Sequence, residues 1–358
     1  MQPFSLIRPK QLNRARALVR EQPELRVFRA GGVDLIDRMK EGLDEPELLV
    51  ELREVEELSP GAGVVEQAPL LPASDDAYPN YYFPDGQLYA QIGALTTLAA
   101  LAETALPGAE ALTQAASEAA TPSIRNIATV GGNLLQRPRC WYFRNRELLC
   151  LKKGGEVCLA VMGDNRYNAI LGGGPTYIVH PSSLGAPLLA LDAVAEVQRG
   201  EPGEGPSNLT RQLTSIADIF VDPQQEPTRE HNLGPGDVLT SVWIPMIEGM
   251  RSAYQAVREK QSHDWPLAEA AVRMRIAADG SMRDVRVALG HVAPIPWNAS
   301  EAAELLEGQV PSEALFQRAA EAALAPARPL DGNAYKVLLS KGLLREVLHR
   351  ASGLPLPE

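Results

Sequence analysis

The sequence predicts an α+β protein built from two domains, and two observations carry this prediction. Up to about residue 224, short apolar strands alternate with helical stretches, whereas from about residue 225 several strands precede a run of helices. Two segments rich in Gly, Pro, Glu and Ser, 200–212 and 222–237, are predicted as surface loops near this change. We therefore expect a first domain over 1–224 and a second over 225–358.

The first domain is expected to begin with a helix, because apolar residues recur at helical spacing: Leu12, Ala15, Leu18 and Val19. A strand at 25–28 then runs into a glycine pair. The next helix is predicted to have Asp34 as its N-terminal cap and Gly42 at its end. A strand, a glycine turn and a helix in this order form a phosphate-binding arrangement.

The remaining elements follow from apolar periodicity and from the turn residues between them. In the first domain, strands are predicted at 48–55, at the start of 88–107, around 177–179 and up to residue 198. Helices there are predicted from near Thr96, over 109–121 with Pro122 as its end, and between the last two strands. In the second domain, strands are predicted at 237–245, 251–259, 266–278 and 282–293, and helices at 300–308, 312–324 and 334–351.

Length and charge limit the classes of function. A chain of 358 residues with 45% hydrophobic content can bury two or three cores. The net charge of −11 and the scarcity of aromatic residues argue against a nucleic-acid binder. No apolar run approaches the length of about 18 residues that a membrane span needs. The charged N-terminus lacks the apolar core of a signal peptide, so we expect synthesis in the cytoplasm.

Two segments carry a glycine pair, AGGVDL at 30–35 and TVGGNL at 129–134. Glycines lack side chains, so backbone N–H groups can approach a diphosphate closely, and the helix after the first pair adds its positive end. In the second segment, Thr129 and Asn133 add side-chain donors. Each pair alone is also typical of an ordinary turn, and neither has the GxGxxG spacing of a dinucleotide fingerprint. Their joint occurrence with IGALTTLAAL between them favours binding of a diphosphate.

All three cysteines, Cys140, Cys150 and Cys158, lie close together in the sequence. The simplest interpretation is three buried, reduced thiols. The odd number of cysteines argues against disulfides alone, and the spacing of the cysteines argues against a zinc site. Thiolate ligation of an iron–sulfur cluster remains, although a cubane usually takes four cysteines. Basic residues surround the three and would either lower the thiol pKa values or form a docking face for an acidic partner: Arg137, Arg139, Arg144, Arg146, Lys152 and Lys153.

These motifs resemble those of the FAD-binding medium subunits of the molybdenum hydroxylase, or xanthine dehydrogenase, family, over nearly the whole chain. RAGGVDLIDRMK resembles the first pyrophosphate loop, QIGALTTLAALAE the following segment and SIRNIATVGGNL the second loop. GDVLTSVWIP, VALGHVAPIPW and AYKVLLSKGLLREVL are similar to the C-terminal domain of the family. The segment QRPRCWYFR resembles periplasmic aldehyde oxidoreductase FAD subunits, which carry a cysteine-rich insertion with a [4Fe–4S] cluster.

The resemblance implies a two-part FAD-binding domain of the vanillyl-alcohol-oxidase (PCMH) type and a C-terminal α+β domain of the CO dehydrogenase flavoprotein type. The subdomains would span about 1–60 and 61–224, with a cysteine-rich insertion at 136–175. The residues that it assigns to FAD binding are Ala30, Gly31, Gly32, Val33, Asp34, Leu35, Gly93, Thr97, Thr121, Ile124, Ala128, Thr129, Gly131, Gly132, Asn133 and Arg258. It assigns metal ligation to Cys140, Cys150 and Cys158, and it assigns no catalytic acid or base.

The implied function is electron transfer inside a heteromeric enzyme. A partner subunit with molybdenum cofactor oxidises an aldehyde or N-heterocycle, a second partner carries [2Fe–2S] clusters, and FAD on this chain delivers the electrons to a small-molecule acceptor. The implied cofactors of this chain are FAD and a [4Fe–4S] cluster. The chain would be cytoplasmic, or periplasmic if a signal-bearing partner carries it across the membrane. Two alternatives stay open: a stand-alone flavin oxidoreductase and a non-catalytic scaffold subunit.

The chain departs from the family pattern at three places. Val33 replaces the usual threonine of the first loop, which removes one hydroxyl donor. Ala256 stands between Tyr254 and Arg258, where many relatives have a lysine. The fourth cysteine is absent, which leaves three alternatives: a non-cysteine ligand such as Thr176, Asp164 or His180, a cluster held by three thiolates, or no cluster. Asp264 is proposed to orient Arg258.

Overall fold

The computed structural model describes residues 1–58, 64–68, 88–200, 210–260 and 263–357, with 64–68 described by backbone alone. Helices and sheets are mixed throughout, and the predicted α+β class is confirmed. Three sheets succeed one another along the chain, with three, five and four strands in the described residues. The predicted subdomain boundary near residue 60 and most of the predicted loop 200–212 lie outside the described residues.

The N-terminal region is a parallel sheet with two helices. Its elements are β1 (Ser5–Ile7), α1 (Leu12–Glu21), β2 (Arg26–Arg29), α2 (Val33–Glu41) and β3 (Leu48–Glu51). The strand order is β1-β3-β2, and both pairings are parallel. The apolar face of α1 packs against β3, as the helical spacing predicted.

The prediction that Asp34 caps α2 is wrong. Gly32 is the N-cap residue, with φ at 75°, and Asp34 lies in the first turn of the helix. A left-handed φ is open to glycine at little cost, so the chain turns into the helix two residues before the aspartate. The predicted end of the helix is confirmed, because Gly42 is the C-cap with φ at 69°.

The central region is a five-stranded sheet covered by short helices. Its strands are β4 (Val64–Ala68), β5 (Leu88–Gly93), β6 (Val194–Arg199), β7 (Thr210–Ser215) and β8 (Val238–Met246), in the order β4-β5-β8-β6-β7. Its helices are α3 (Leu98–Ala102), α4 (Glu110–Glu118), α5 (Pro122–Arg125), α6 (Val130–Leu134), α7 (Trp141–Arg144), α8 (Gly185–Ala190) and α9 (Ile216–Ile219). The core between sheet and helices includes Ile92, Val242, Leu112 and Leu188, all fully buried.

Three details of this region differ from the sequence predictions. No strand forms at 177–179, because its backbone bonds go to separate segments, with Ala169 N bound to Tyr177 O at 2.9 Å. The end of the predicted loop 200–212 belongs to β7, which pairs with β6 and buries Leu213. Pro122 starts α5 as well as following α4, since its ring fits the first turn of a helix.

The C-terminal region is an antiparallel sheet with helices on both faces. Its elements are β9 (Arg251–Val257), β10 (Ala268–Ile276), β11 (Met282–Gly290), β12 (Trp297–Asn298), α10 (Ser300–Leu306), α11 (Glu313–Leu324) and α12 (Tyr335–Ser352). On β10, Val272 packs with α11 and α12, whereas Ala271 belongs to the core of the central region. The predicted strands 251–259, 266–278 and 282–293 and all three predicted helices are confirmed, and β12 was missed.

The strand β8 lies after residue 225 but pairs with β5 and β6 in the central sheet. The division of the chain into domains at 224 and 225 stays a prediction. Across the stretches that the structure describes, no helix is long and apolar enough to cross a membrane.

Gly342, in the middle of α12, gives a test of the helix packing. It is exposed, and a Cβ built there would meet no atom within 4 Å. We predict that Gly342→Ala stabilises the protein by about 0.5–1 kcal/mol, because glycine loses more backbone entropy in a helix than alanine. The midpoint of urea unfolding measures this. Gly353→Ala is the matched control at the end of the same helix, where φ is 79° and alanine should destabilise. A lower midpoint for Gly342→Ala would contradict the packing described here.

Candidate functional site

Three of the predicted FAD-binding segments meet in the structure, and we call their meeting point the glycine junction: residues 30–35, 93–98 and 127–133. Gly31 approaches the third segment so closely that a Cβ would overlap the carbonyl oxygen of Ile127 and lie 3.2 Å from Ala128 Cα. Leu98 N donates to Ala128 O at 2.9 Å and joins the second segment to the third. These three segments, distant in sequence, therefore meet at one place in the fold.

The first glycine loop offers backbone donors to a ligand. Gly32 turns the chain into α2, and the first intrahelical bond runs from Ile36 N to Gly32 O at 2.9 Å. The amides of 33–35 precede that bond, so the helix itself supplies no acceptor for them. The helix dipole adds partial positive charge at the same end. This is the arrangement that binds the phosphates of a dinucleotide.

The second glycine loop uses its amides differently from the prediction. Each of four successive amides has an acceptor within the protein: Val130 to Thr96 O at 2.9 Å, Gly131 to Ala94 O at 2.8 Å, Gly132 to Thr129 Oγ1 at 3.1 Å and Asn133 to Thr129 O at 2.8 Å. Asn133 Oδ1 accepts from Ser182 Oγ at 2.6 Å. These bonds hold the loop against the segment 93–98, where Gly131 packs on Ala94.

Three of the predicted threonines cap the short helices around the junction. Their hydroxyl oxygens accept backbone N–H groups: Thr97 from Ala100 at 3.2 Å, Thr121 from Ile124 at 3.3 Å and Thr129 from Gly132 at 3.1 Å. A hydroxyl that accepts in this way still has its own hydrogen to donate. Thr97 and Thr121 are half-buried, so their hydroxyls can serve a ligand as well as a helix.

The other predicted residues of the glycine junction have packing roles. Leu35 is buried in a small core with Met39 and Leu49. Gly93 is buried at the end of β5, where its carbonyl accepts from Thr96 N at 2.9 Å. The half-buried members are Ala30, Val33, Ile124 and Ala128. Which of these atoms would touch FAD stays a prediction.

Arg258 fixes the end of α4 beside Thr121. Its Nη2 donates to Glu118 O at 3.1 Å, and its Nη1 lies 3.5 Å from Glu118 Oε2. Asp264, which we expected to orient Arg258, is exposed, and Glu118 takes that role. Arg258 thereby joins β9 of the C-terminal region to the loop that carries Thr121. Sequence reasoning missed Glu118, because a carboxylate at the end of a helix is common.

A buried carboxyl group lies behind Arg258. Glu269 is fully buried on β10 and accepts a hydrogen bond from Tyr254 Oη at 2.6 Å. Burial raises the pKa of Glu269 to about 8, while the hydrogen bond from Tyr254 and the charge of Arg258 offset part of this rise. His291 Nε2 lies 3.6 Å from Glu269 Oε1. A lone glutamate in the apolar strand segment PLAEAAV was the signal that sequence reasoning missed.

The three thiols of the cysteine-rich segment differ in burial, since Cys150 is buried and Cys140 and Cys158 are half-buried. Cys150 and Cys158 flank a backbone bond from Leu151 N to Val157 O at 2.8 Å. Cys140 precedes α7, with Asn168 Nδ2 at 3.9 Å from its sulfur. All three cysteines are free.

The structure bears on two expectations about the thiols, their pKa values and their ligation of a cluster. The expectation that basic residues lower the thiol pKa values is wrong for Cys140, because burial raises its pKa. The arginines nearby are paired with carboxylates instead, such as Arg137 with Glu230 at 3.1 Å. No group of three or more His, Cys, Asp or Glu side chains in the described residues is arranged to hold a metal ion. These residues do not fit a four-thiolate cluster, and the [4Fe–4S] cluster stays a prediction.

None of the three substitutes considered for the fourth cysteine is placed as an evident ligand. Thr176 is buried, and His180 is buried against Phe220, with ring centroids 4.6 Å apart. Burial lowers the pKa of His180 to about 3. Asp164 is exposed and pairs with Arg166 at 3.0 Å.

Two family models match the chain, one after the other. Residues 85–247 match the FAD-binding domain of molybdopterin dehydrogenases. Residues 252–351 match the C-terminal domain of the CO dehydrogenase flavoprotein. The two matches meet between β8 and β9, where the chain leaves the central sheet. In this order they define a flavoprotein of the molybdenum-containing dehydrogenases.

Similar proteins agree with this class. The aldehyde oxidoreductase FAD-binding subunit PaoB of Escherichia coli (strain K12) is 34% identical over 330 residues, 90% of this chain and 91% of PaoB. The nicotinate dehydrogenase FAD-subunit of Eubacterium barkeri is 26% identical over 137 residues, 37% of this chain and 39% of that subunit. The chain belongs to the FAD-binding medium subunits of the molybdenum hydroxylase family, as its motifs predicted.

Solved structures share the fold. The CO dehydrogenase of Hydrogenophaga pseudoflava superposes with a TM-score of 0.68 at 24% identity and 98% coverage of both chains. Quinoline 2-oxidoreductase from Pseudomonas putida 86 gives a TM-score of 0.67 at 19% identity and 98% coverage of both chains. The predicted CO dehydrogenase flavoprotein fold is therefore confirmed.

The close approach at Gly31 gives the first prediction for this site. Gly31→Ala should lower the affinity for FAD at least about tenfold, which corresponds to about 1.4 kcal/mol, because the new Cβ forces the glycine junction apart. Flavin fluorescence titration measures the affinity, and circular dichroism checks that the fold is retained. Gly342→Ala is the matched control, since alanine there meets no neighbour. Equal FAD affinity of the Gly31→Ala protein and the wild type would contradict the role given to this contact.

The buried Glu269 gives the second prediction. Its pKa rises from 4.5 to about 8 in the folded protein, so the folded state keeps a proton that the unfolded chain releases. This contribution to stability is fully present below pH 4.5 and is lost as pH rises through about 8. Between about pH 5 and about pH 8, the wild type should lose stability relative to Glu269→Gln, by roughly 1.4 kcal/mol per pKa unit as an upper value. Thermal unfolding of both proteins at the two pH values measures this, and an unchanged difference would contradict it.

Proposed function

We propose that this chain is the FAD-binding electron-transfer subunit of a molybdenum-containing aldehyde or xanthine dehydrogenase-type hydroxylase. Electrons would pass from [2Fe–2S] clusters of a partner through FAD on this chain to an external small-molecule acceptor. The observation that carries the proposal is the glycine junction, where helix α2 supplies no acceptor for the amides of 33–35 and the segment 127–133 lies against Gly31. The kinship with PaoB, an aldehyde oxidoreductase subunit, favours an aldehyde as the organic substrate of the complex.

The residues of the glycine junction fit FAD by their donors and by their lack of side chains. The amides of 33–35 would hold the diphosphate at the start of α2, and the hydroxyls of Thr97 and Thr121 would donate to neighbouring polar atoms of the cofactor. Arg258 would keep the Thr121 loop in place through Glu118. When bound, FAD supplies a centre that accepts electrons one or two at a time. The protein supplies binding, orientation and electrostatics.

The same proposal assigns the remaining cofactors to partners. The molybdenum cofactor would belong to a large subunit and the [2Fe–2S] clusters to a small subunit. A [4Fe–4S] cluster on Cys140, Cys150 and Cys158 would be held by three thiolates alone or with a ligand other than cysteine, so no electron step is routed through it. The proposal also includes the location of the chain, which would stay in the cytoplasm after synthesis or be exported together with a signal-bearing partner.

The test uses the complex that forms around a tagged copy of this chain in its own cells. We predict that the purified complex contains FAD and molybdenum, and that an aldehyde bleaches the flavin absorbance. The chain purified alone should hold FAD but should not be bleached by aldehyde, because the site of substrate oxidation lies on a partner. The matched control is Gly31→Ala in the same complex, which should retain molybdenum and lose flavin bleaching.

Two outcomes would contradict the proposal. Aldehyde bleaching by the isolated chain would identify a stand-alone flavin oxidoreductase. A complex that contains molybdenum and this chain but no flavin would identify a scaffold subunit. Iron and sulfide assays on the isolated chain separately test the [4Fe–4S] prediction, since a cubane adds four irons.

A further inference from the structure

The first glycine loop and the cysteine-rich segment are joined through one side chain. Asp34 lies in the first turn of α2, and its side chain is 15% exposed. Its Oδ2 accepts the backbone N–H of Arg137 at 3.1 Å. Its Oδ1 pairs with Arg144 Nη2 at 2.6 Å and with Arg139 Nη2 at 3.0 Å. Both carboxylate oxygens therefore bind the segment that contains Cys140.

The positive charges around Asp34 oppose the effect of burial on its pKa. Burial alone would raise the pKa of Asp34, but Arg38, Arg139, Arg144 and the amide of Arg137 lower it below its ordinary value. The carboxylate is thus ionised and screened by guanidinium groups. An anionic diphosphate at the start of α2 would therefore meet little repulsion from Asp34.

The arginines carry the contact on toward the thiol. Arg144 Nε donates to Pro138 O at 2.7 Å, and its side chain is 9% exposed. Arg139 precedes Cys140 in the sequence, and its guanidinium lies over the ring of Trp265, 4.7 Å from the centroid. The backbone on both sides of Cys140 is thereby fixed to α2. Arg144 also pairs with Glu41 at 3.1 Å and Arg139 with Asp37 at 3.0 Å, so the loss of Asp34 breaks the contact shared with 137–144 but leaves both arginines a carboxylate.

We propose that Asp34 is a positioning residue that couples FAD binding to the placement of Cys140. The backbone of Asp34 stands among the amides that would take the diphosphate, while its side chain holds the backbone of Arg137. FAD that orders the start of α2 therefore also orders 137–144. Linkage is reciprocal, so loosening that segment must weaken FAD binding by the same factor. This inference rests on the proposed binding of FAD at α2.

The test measures amide hydrogen exchange of the peptide 136–146 by mass spectrometry, with and without FAD, in the full-length chain. In the wild type, FAD should slow exchange in this peptide at least about fivefold, the lower end of ordinary coupling between sites. Asp34→Asn and Arg144→Gln should each reduce that effect to less than about twofold and weaken FAD binding in fluorescence titration. The double variant should do no more than either single variant, because both changes break the same contact.

Asp37→Asn is the matched control. Asp37 lies on the same helix and pairs with Arg139 at 3.0 Å and with Arg144 at 3.5 Å, but its side chain is 51% exposed and accepts no backbone N–H of 137–144 in the described residues. It should retain the full FAD effect on exchange, because an exposed ion pair contributes little. An equal loss in Asp37→Asn and Asp34→Asn would overturn the inference.

The two readouts separate the inference from the proposed function. FAD binding to the wild type without slower exchange in 136–146 overturns the inference alone. Additive losses in the double variant also overturn it, because they would mean that the two residues act independently. Absence of FAD binding to the wild type overturns the proposed function and, with it, the coupling.

Discussion

The contact between Gly31 and the carbonyl of Ile127 is the constraint on which the arrangement of the cofactor site depends. It places the start of α2, from the N-terminal sheet, against the turn before α6, from the central region. A Cβ on Gly131 would lie 3.1 Å from Ala94 Cβ and 3.2 Å from Ala94 O, which is a tight contact but a looser one than at Gly31. Since a Cβ at position 31 would meet backbone, the site needs glycine there but not the spacing of a GxGxxG fingerprint. Helix α2 supplies no acceptor for the amides at its start, whereas the amides of the second loop are bound inside the protein.

Much of the fold could be predicted because its elements are strongly periodic. The strands of the C-terminal sheet alternate between two buried layers, and α1 has a clean apolar face. The misses have physical causes. Tyr177 and its neighbours are extended, but their hydrogen bonds go to separate partners, so no ladder forms. The strand β7 has few apolar residues and exists because β6 lies beside it.

The site could be located from the sequence, but the use of each atom could not. Motif letters identify Thr129 and Asn133 as polar residues beside glycines, yet their oxygens are bound inside the protein. Hydrogen-bond direction depends on neighbours that are distant in sequence. For the same reason, the sequence did not indicate the roles of Glu118 and Glu269, which accept hydrogen bonds from Arg258 and Tyr254. The position of the basic residues near the cysteines in the sequence also did not indicate the carboxylates with which they pair.

The central position of β8 has a consequence for folding during synthesis. This strand lies between β5 and β6, although β5, β6 and β7 all precede it in the chain. On the ribosome, the nascent sheet therefore has a gap in its middle until residue 246 has emerged. Until then β5 and β6 present unpaired edges and apolar faces, which are typical recognition features for chaperones and for aggregation. A truncation before β8 would accordingly remove the central strand that joins β5 to β6, rather than an edge strand.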